Sequence, residues 1–102
     1  MSTVRRNEGA GRYEILVDDE VAGKVTYIVH EGRIVLNHTK VRDEYAGQGL
    51  AGTLVRSALD DIRARGEKAV ALCPYVASWV DRHPDYADVL DREALEKILA
   101  GG

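Results

Sequence analysis

Val41-Arg-Asp-Glu-Tyr-Ala-Gly-Gln-Gly-Leu-Ala-Gly52 is the segment on which the fold turns. A strand ends at Val41, a short loop follows, and Gly47 and Gly49 open an amphipathic helix. Leu50, Ala51, Leu54, Val55, Ala58, Leu59 and Ile62 recur at helical spacing, with Arg56, Asp60, Arg63 and Glu67 on the opposite, solvated face. Gly66 suits the position just past the helix end. Without a Cβ, Gly47 and Gly49 let the backbone turn sharply and bring its N–H groups close to a ligand. Those groups sit at a helix N-terminus, where the macrodipole favours negative charge, so pyrophosphate is the natural guest. Spacing alone does not separate such a loop from a purely structural glycine turn.

Working outward, Arg12 to Val17 alternates as a strand with Tyr13, Ile15 and Val17 on one face, and Asp18-Asp19-Glu20 is a turn. Val21 to His30 is rich in β-branched and aromatic residues. Glu31-Gly32 is a two-residue hairpin connection, and Arg33 to Val41 is the third strand of an antiparallel meander. Residues 1–11 are polar and contain glycine, which predicts a frayed, flexible arm. On the other side, Lys68 to Leu72 is a short apolar strand that needs cover on both faces. A second helix runs from Pro74 to about His83, His83-Pro84-Asp85 breaks it, and Asp91 to Ala100 forms a short helix before a Gly-Gly tail. The reading is an α+β fold: a three-stranded meander, then helix, strand and helix, in one domain over residues 1–102. The strand–helix–strand part forms a right-handed crossover if its strands are parallel neighbours.

The chain has 102 residues, 45% of them apolar and 30% charged, an ordinary globular balance for a single core. Fourteen basic against seventeen acidic side chains leave a net charge of −3. That balance does not suit a protein bound to phosphate backbone, so no nucleic-acid partner is expected. One cysteine, Cys73, excludes an internal disulfide framework and a multi-cysteine zinc site, and no metal is expected. No stretch has signal-peptide or bilayer-spanning length, which predicts a cytoplasmic protein without membrane association.

Two common phosphate loops fail. The lysine and hydroxyl of GxxxxGK[ST] are missing, since Gly52, Thr53 and Leu54 occupy that end. A dinucleotide loop follows the first strand of a βαβ unit, whereas this one follows a meander.

His38-Thr-Lys-Val41, Tyr45-Ala-Gly-Gln-Gly-Leu-Ala51 and Leu72-Cys-Pro-Tyr-Val76 together resemble the small, single-domain GNAT-type acetyltransferases. The resemblance runs from about Ile15 to Leu90. It implies a GNAT-like fold, acetyl-coenzyme A as co-substrate, and transfer of the acetyl group to an amine on a small molecule or peptide. The superfamily's [QR]-x-x-G-x-[GA] pattern falls on Ala46 to Ala51, with Ala46 in place of the usual Arg or Gln. A side-chain contact is lost there and the backbone amides remain. By resemblance, Thr39, Lys40 and Val41 bond the pantetheine arm through their backbone. Ala46, Gly47, Gln48, Gly49, Leu50, Ala51 and Gly52 form the pyrophosphate loop. The strand before the loop splays from the next one, Lys68 to Leu72, and the thioester lies in the gap.

Acetyl transfer needs a neutral amine, a polarised carbonyl and a proton for the departing thiolate. Many relatives supply that proton from a tyrosine in the helix after the splayed strand, but here the position falls near Asp81. Cys73 is the substitute, as acid or as acetyl acceptor, because a helix N-terminus raises thiolate character. A buried free cysteine also serves as a small hydrophobe. His38 is the candidate base, since imidazole titrates near neutrality, and a structural histidine fits equally. His30 and His83 read as surface or capping groups, and Tyr75 and Trp79, four apart, read as core. The net-acidic composition favours cationic acceptors such as polyamines or lysine-bearing peptides. A non-catalytic acyl-coenzyme A binding or interaction module is the rival reading, and a domain with a merely structural glycine turn is the third. Oligomeric state is not legible.

Overall fold

The computed structural model describes residues 2–101. Five strands form one mixed sheet in sequence order: β1 (Ser2–Asn7), β2 (Arg12–Val17), β3 (Glu20–His30), β4 (Arg33–Val41) and β5 (Lys68–Ala71). The first four are antiparallel neighbours, and β4 and β5 are parallel. Helix α1 (Leu50–Ala64) makes the crossover, and α2 (Pro74–Asp81) and α3 (Arg92–Leu99) follow, separated by a 3₁₀ segment at Pro84–Val89. Among the described residues no helix is long and apolar enough to cross a membrane.

The meander, α1, β5 and the two later helices fall where the periodicity puts them, within a few residues. The β2–β3 and β3–β4 hairpin turns have positive φ at their two central residues, Asp18 and Asp19, then Glu31 and Gly32. This is the twist that matches two-residue hairpins. Past the end of α1, Glu67 N–H bonds Ile62 O and Gly66 N–H bonds Arg63 O, with Gly66 at φ +72°. These are the two bonds of a Schellman cap, and Gly66 stands at its left-handed position.

The expected arm over residues 1–11 is a correction: residues 2–7 are the edge strand β1, paired along β2 from Ser2↔Val17 to Asn7↔Arg12. Met1 lies outside the described residues. Val4 is the only apolar residue of β1, so no alternation announces the strand. Charge holds it instead. The Arg6 guanidinium, only 7% exposed, donates to both Glu67 carboxylate oxygens (2.7 and 3.4 Å) and lies over the Tyr27 ring at 5.3 Å. Arg5 Nε donates to Glu14 Oε1 at 2.8 Å. Glu67, expected on the solvated face of α1, is thus the anchor for the far edge of the sheet.

One sheet face packs on α1 and α2. Tyr13, Ile15, Val25, Tyr27, Ile34, Leu36, Ala69 and Ala71 meet Leu54, Val55, Ala58, Leu59 and Ile62 of α1 and Val76, Trp79 and Val80 of α2. Two tyrosine hydroxyls pin α1 by donating to its acidic side: Tyr13 to Asp61 (2.6 Å) and Tyr86 to Asp60 (2.8 Å). β5 is covered on both faces as its composition requires, with Val70 and its neighbour Val35 each 1% exposed on the face away from α1. α3 lies at that end of the sheet, capped by Asp91, whose side chain accepts from Ala94 N–H and from Arg33 Nε.

Candidate functional site

β4 and β5 part company halfway along β4. Their pairing runs from Arg33↔Lys68 to Leu36↔Ala71 and stops. The Leu36 carbonyl then accepts from both Leu72 N–H (3.1 Å) and Cys73 N–H (2.8 Å), which closes the vertex of the gap. Beyond it Asn37 to Val41 continue with β3 on one side only.

The register to β3 shifts at the vertex: Tyr27 pairs with Leu36 and Thr26 with His38, so Asn37 is an extra residue in β4. Thr26 Oγ1 donates to Asn37 Oδ1 at 2.5 Å and holds this bulge. Side chains alternate along a strand, and one inserted residue reverses the alternation. Ile34 and Leu36 face the core; after the bulge Thr39 and Val41 take that face, opposite the core residues Val25 and Gly23. Arg42 N–H bonds Ala22 O on β3. Counting back by twos, Lys40 and His38 turn their backbone groups toward β3. Thr39 and Val41 turn theirs into the gap.

The loop rises from the open end of this gap through a 3₁₀ turn at Asp43–Tyr45, and Tyr45 packs against the core. Gly47 and Gly49 have φ of +81° and +73°, and a Cβ on either would stand in open space. Glycine is therefore needed for the left-handed backbone and not for close packing. Gly49 is the N-cap of α1, no side chain caps the helix, and its first turn holds no acidic residue. Ala46, Gln48 and Gly49 are exposed, and Leu50 seats the helix in the core. The first-turn N–H groups thus have neither a capping side chain nor an acidic neighbour within the turn, which favours an anion at this helix end. Gly52 differs: a Cβ there would make ordinary van der Waals contact with Trp79 Nε1 at 3.5 Å and the Tyr75 hydroxyl at 3.8 Å.

Cys73 is the N-cap of α2, 4% exposed, with its Sγ 3.4 Å from Thr39 Oγ1 across the vertex. Pro74 occupies the first helical position. His38 is exposed and, by the reversed alternation, points to the sheet face away from Thr39 and Cys73. The two sequence candidates are close along the fold but do not share a face. Lys40 shares the face of His38 and turns its backbone groups toward β3, so of the three residues expected to bond the pantetheine arm only Thr39 and Val41 offer backbone groups to the gap. Asp81 ends α2, about 12 Å along the axis from Cys73, and is exposed. Among the described residues no three His, Cys, Asp or Glu side chains come together to hold a metal.

Two features escaped sequence reasoning. Trp79 is core, stacked on His83 with ring centroids 3.8 Å apart, but Tyr75 is exposed and holds its hydroxyl beside the first turn of α1. Pro74-Tyr75 at the start of a helix is the signal that could have put Tyr75 at the exposed end of α2. The Asn37 bulge had no signal, because nothing in Leu-Asn-His-Thr distinguishes it from regular strand. His83 caps α2 through Nδ1 and Trp79 O (2.7 Å), and His30 stays at the hairpin surface beside Glu31.

The model of the GCN5-related N-acetyl-transferase family matches residues 12–89. Protein NATD1 of Homo sapiens is 42% identical over 53 residues, which cover 51% of this chain and 47% of that one. Its Gallus gallus counterpart is also 42% identical over 53 residues, covering 51% and 48%. The chain thus spans about half the length of the curated relatives it matches. Among solved structures, a GCN5-like protein of Staphylococcus aureus superposes with a TM-score of 0.65 at 24% identity, covering 87% of each chain. Ribosomal-protein-alanine N-acetyltransferase of Brucella melitensis biovar Abortus 2308 gives 0.51 at 21% identity, over 78% of this chain and 60% of that one. Both likenesses concern the fold.

Proposed function

The chain belongs to the GCN5-related N-acetyltransferase family, and on that premise we propose that it moves an acetyl group from acetyl-coenzyme A to an amine, in the cytoplasm. The observation that carries this reading is the gap itself. An uncapped helix N-terminus, a free strand edge and a thiol at the vertex converge on it. Acetyl-coenzyme A supplies the activated thioester when bound. The amides from Ala46 to Gly49 and those of Leu50, Ala51 and Gly52 take its pyrophosphate. The backbone groups of Thr39 and Val41, with Lys40 between them, line the pantetheine arm.

Cys73 then stands where the departing thiolate needs a proton, and Thr39 Oγ1 holds its Sγ in place. Asp81 is too far along α2 for that task. His38, exposed on the opposite face of the sheet, takes the proton of the incoming ammonium before the neutral amine enters the gap between β4 and β5 to attack the thioester. Tyr75, beside the first turn of α1, adds a hydroxyl donor near the pyrophosphate end.

The test is the melting temperature with millimolar coenzyme A and acetyl-coenzyme A, for the wild type and Gly49→Glu. Ligand at about 100 times its dissociation constant adds about 2.7 kcal/mol, a shift of several degrees in a domain of this size. We expect that shift in the wild type and its loss in a folded Gly49→Glu, whose carboxylate stands in the anion position. No shift in the wild type would overturn the reading.

A further inference from the structure

We propose that the sheet face turned away from α1 is a docking surface for an acidic peptide that carries the acceptor amine, with Lys24 and Lys40 at its centre. Strand register builds the surface. One cross-strand row runs Arg5–Glu14–Lys24–Lys40, and the next runs Asn7–Arg12–Thr26–His38. Both rows lie on the uncovered face, because their neighbours Tyr13, Ile15, Val25 and Thr39 point to the helices.

Glu14, the one carboxylate in these rows, is 1% exposed and sealed by Arg5, Arg12 and Asn7. What reaches solvent is positive. Arg12, Lys24, Lys40 and Arg42, with Val21 and Gly23, line a shallow cavity of about 300 Å³. Arg42 pairs with Glu44, whereas Lys24 and Lys40 form no ion pair among the described residues. They stand directly opposite each other, an arrangement that costs stability between neighbouring strands. Five cations (Arg5, Arg12, Lys24, Lys40 and Arg42) against two carboxylates (Glu14 and Glu44) give this face +3, in a chain whose net charge is −3. The cationic acceptors suggested by the overall charge therefore meet the wrong sign beside His38.

Size selects the occupant. Four strands at roughly 4.8 Å spacing make the patch about 14 Å wide, and two rows make it about 7 Å tall. That fits an extended segment of about four residues and is short for a phosphate backbone, which needs a longer basic stripe. His38 ends the second row two residues from Lys40, so an acidic segment seated on the lysines brings a neighbouring amine to the imidazole. The link to transfer chemistry rests on the proposed acetyl-transfer function; the docking does not.

Fluorescence anisotropy of the full chain with a dye-labelled tetraglutamate peptide bearing a free α-amine tests this, against a tetralysine peptide and a short oligothymidylate. We expect the tetraglutamate peptide to bind at least about tenfold tighter than the other two, and to weaken as salt rises from about 0.05 to 0.3 M, as exposed charge pairs do. Lys24→Gln should weaken it several-fold and Lys24→Glu by about tenfold or more, with folding checked by melting temperature. Equal affinity for both peptides would overturn the proposal, as would tighter oligothymidylate binding or a folded Lys24→Gln that binds unchanged. The coenzyme A melting shift, measured on the same proteins, reports separately on the transfer reading: its absence would sink that reading and leave the peptide result intact.

Discussion

Thr39 Oγ1 and Cys73 Sγ meet at 3.4 Å where β4 and β5 part, a side-chain contact that spans the vertex of the gap. If this pair handles the leaving-group proton, removing either member should affect turnover more than cofactor affinity. Cys73→Ala should lower kcat about 10²-fold or more, in the range of a lost general acid, while the coenzyme A melting shift stays within a degree. Thr39→Val, which keeps shape and removes the hydroxyl, should fall between wild type and Cys73→Ala. Unchanged turnover in Cys73→Ala would make the cysteine packing only.

The N-terminal edge strand hangs on Arg6. Its guanidinium is buried against Glu67, Tyr27 and Tyr13, and those partners hold its pKa far above the usual arginine value, the Glu67 bond first. Arg6→Gln should cost about 2–3 kcal/mol, below the roughly 3–5 kcal/mol of a fully buried pair because Glu67 is 28% exposed. Amide hydrogen exchange should show β1 losing protection well before β2. Uniform loss across the sheet would show that β1 is not separately anchored.

Acid should find Glu14. Burial pushes its carboxyl up, but hydrogen bonds from Arg5, Arg12 and Asn7 outweigh that and hold it below the ordinary value of about 4.3. A lowered folded-state pKa means the unfolded chain binds this proton more readily. Its stabilisation is complete above the unfolded value and is lost as pH falls through the folded one. The melting temperature should drop on acidification below about pH 5, and Glu14→Gln should flatten that limb while costing about 2 kcal/mol near neutrality. An acid limb as steep in Glu14→Gln as in wild type would assign it to other carboxylates.

Gly66 closes α1 at φ +72° with open space where a Cβ would stand. Gly66→Ala meets no clash, and its cost is the left-handed backbone alone, about 1–2 kcal/mol. In a domain of this size that is a fall of roughly 4–15 °C in melting temperature. A change within one degree would mean that the cap relaxes to another form.

The chain's local sequence determined those features that depend on near neighbours: the period-2 runs of β2 to β4, the helical stripe of α1, the glycine turn before it and the glycine cap after it. Each follows from what a few adjacent side chains permit at the backbone, and each is where the residues put it. The tertiary structure decided the rest. β1 has one apolar residue and exists because Glu14, Glu67 and two tyrosines wait for its arginines from up to 61 positions away. The faces of β4 were set by one bulged residue. With regular alternation, His38 would share the core face with Leu36 and look toward Cys73; with Asn37 inserted, Thr39 takes that place and His38 turns to the cationic side. Such a slip changes no local pattern, because it is fixed by pairing with β3 and by the Thr26–Asn37 hydrogen bond. The same pairing gathers Lys24 and Lys40, sixteen residues apart, into a patch of sign opposite to the chain's own charge, which no composition could reveal.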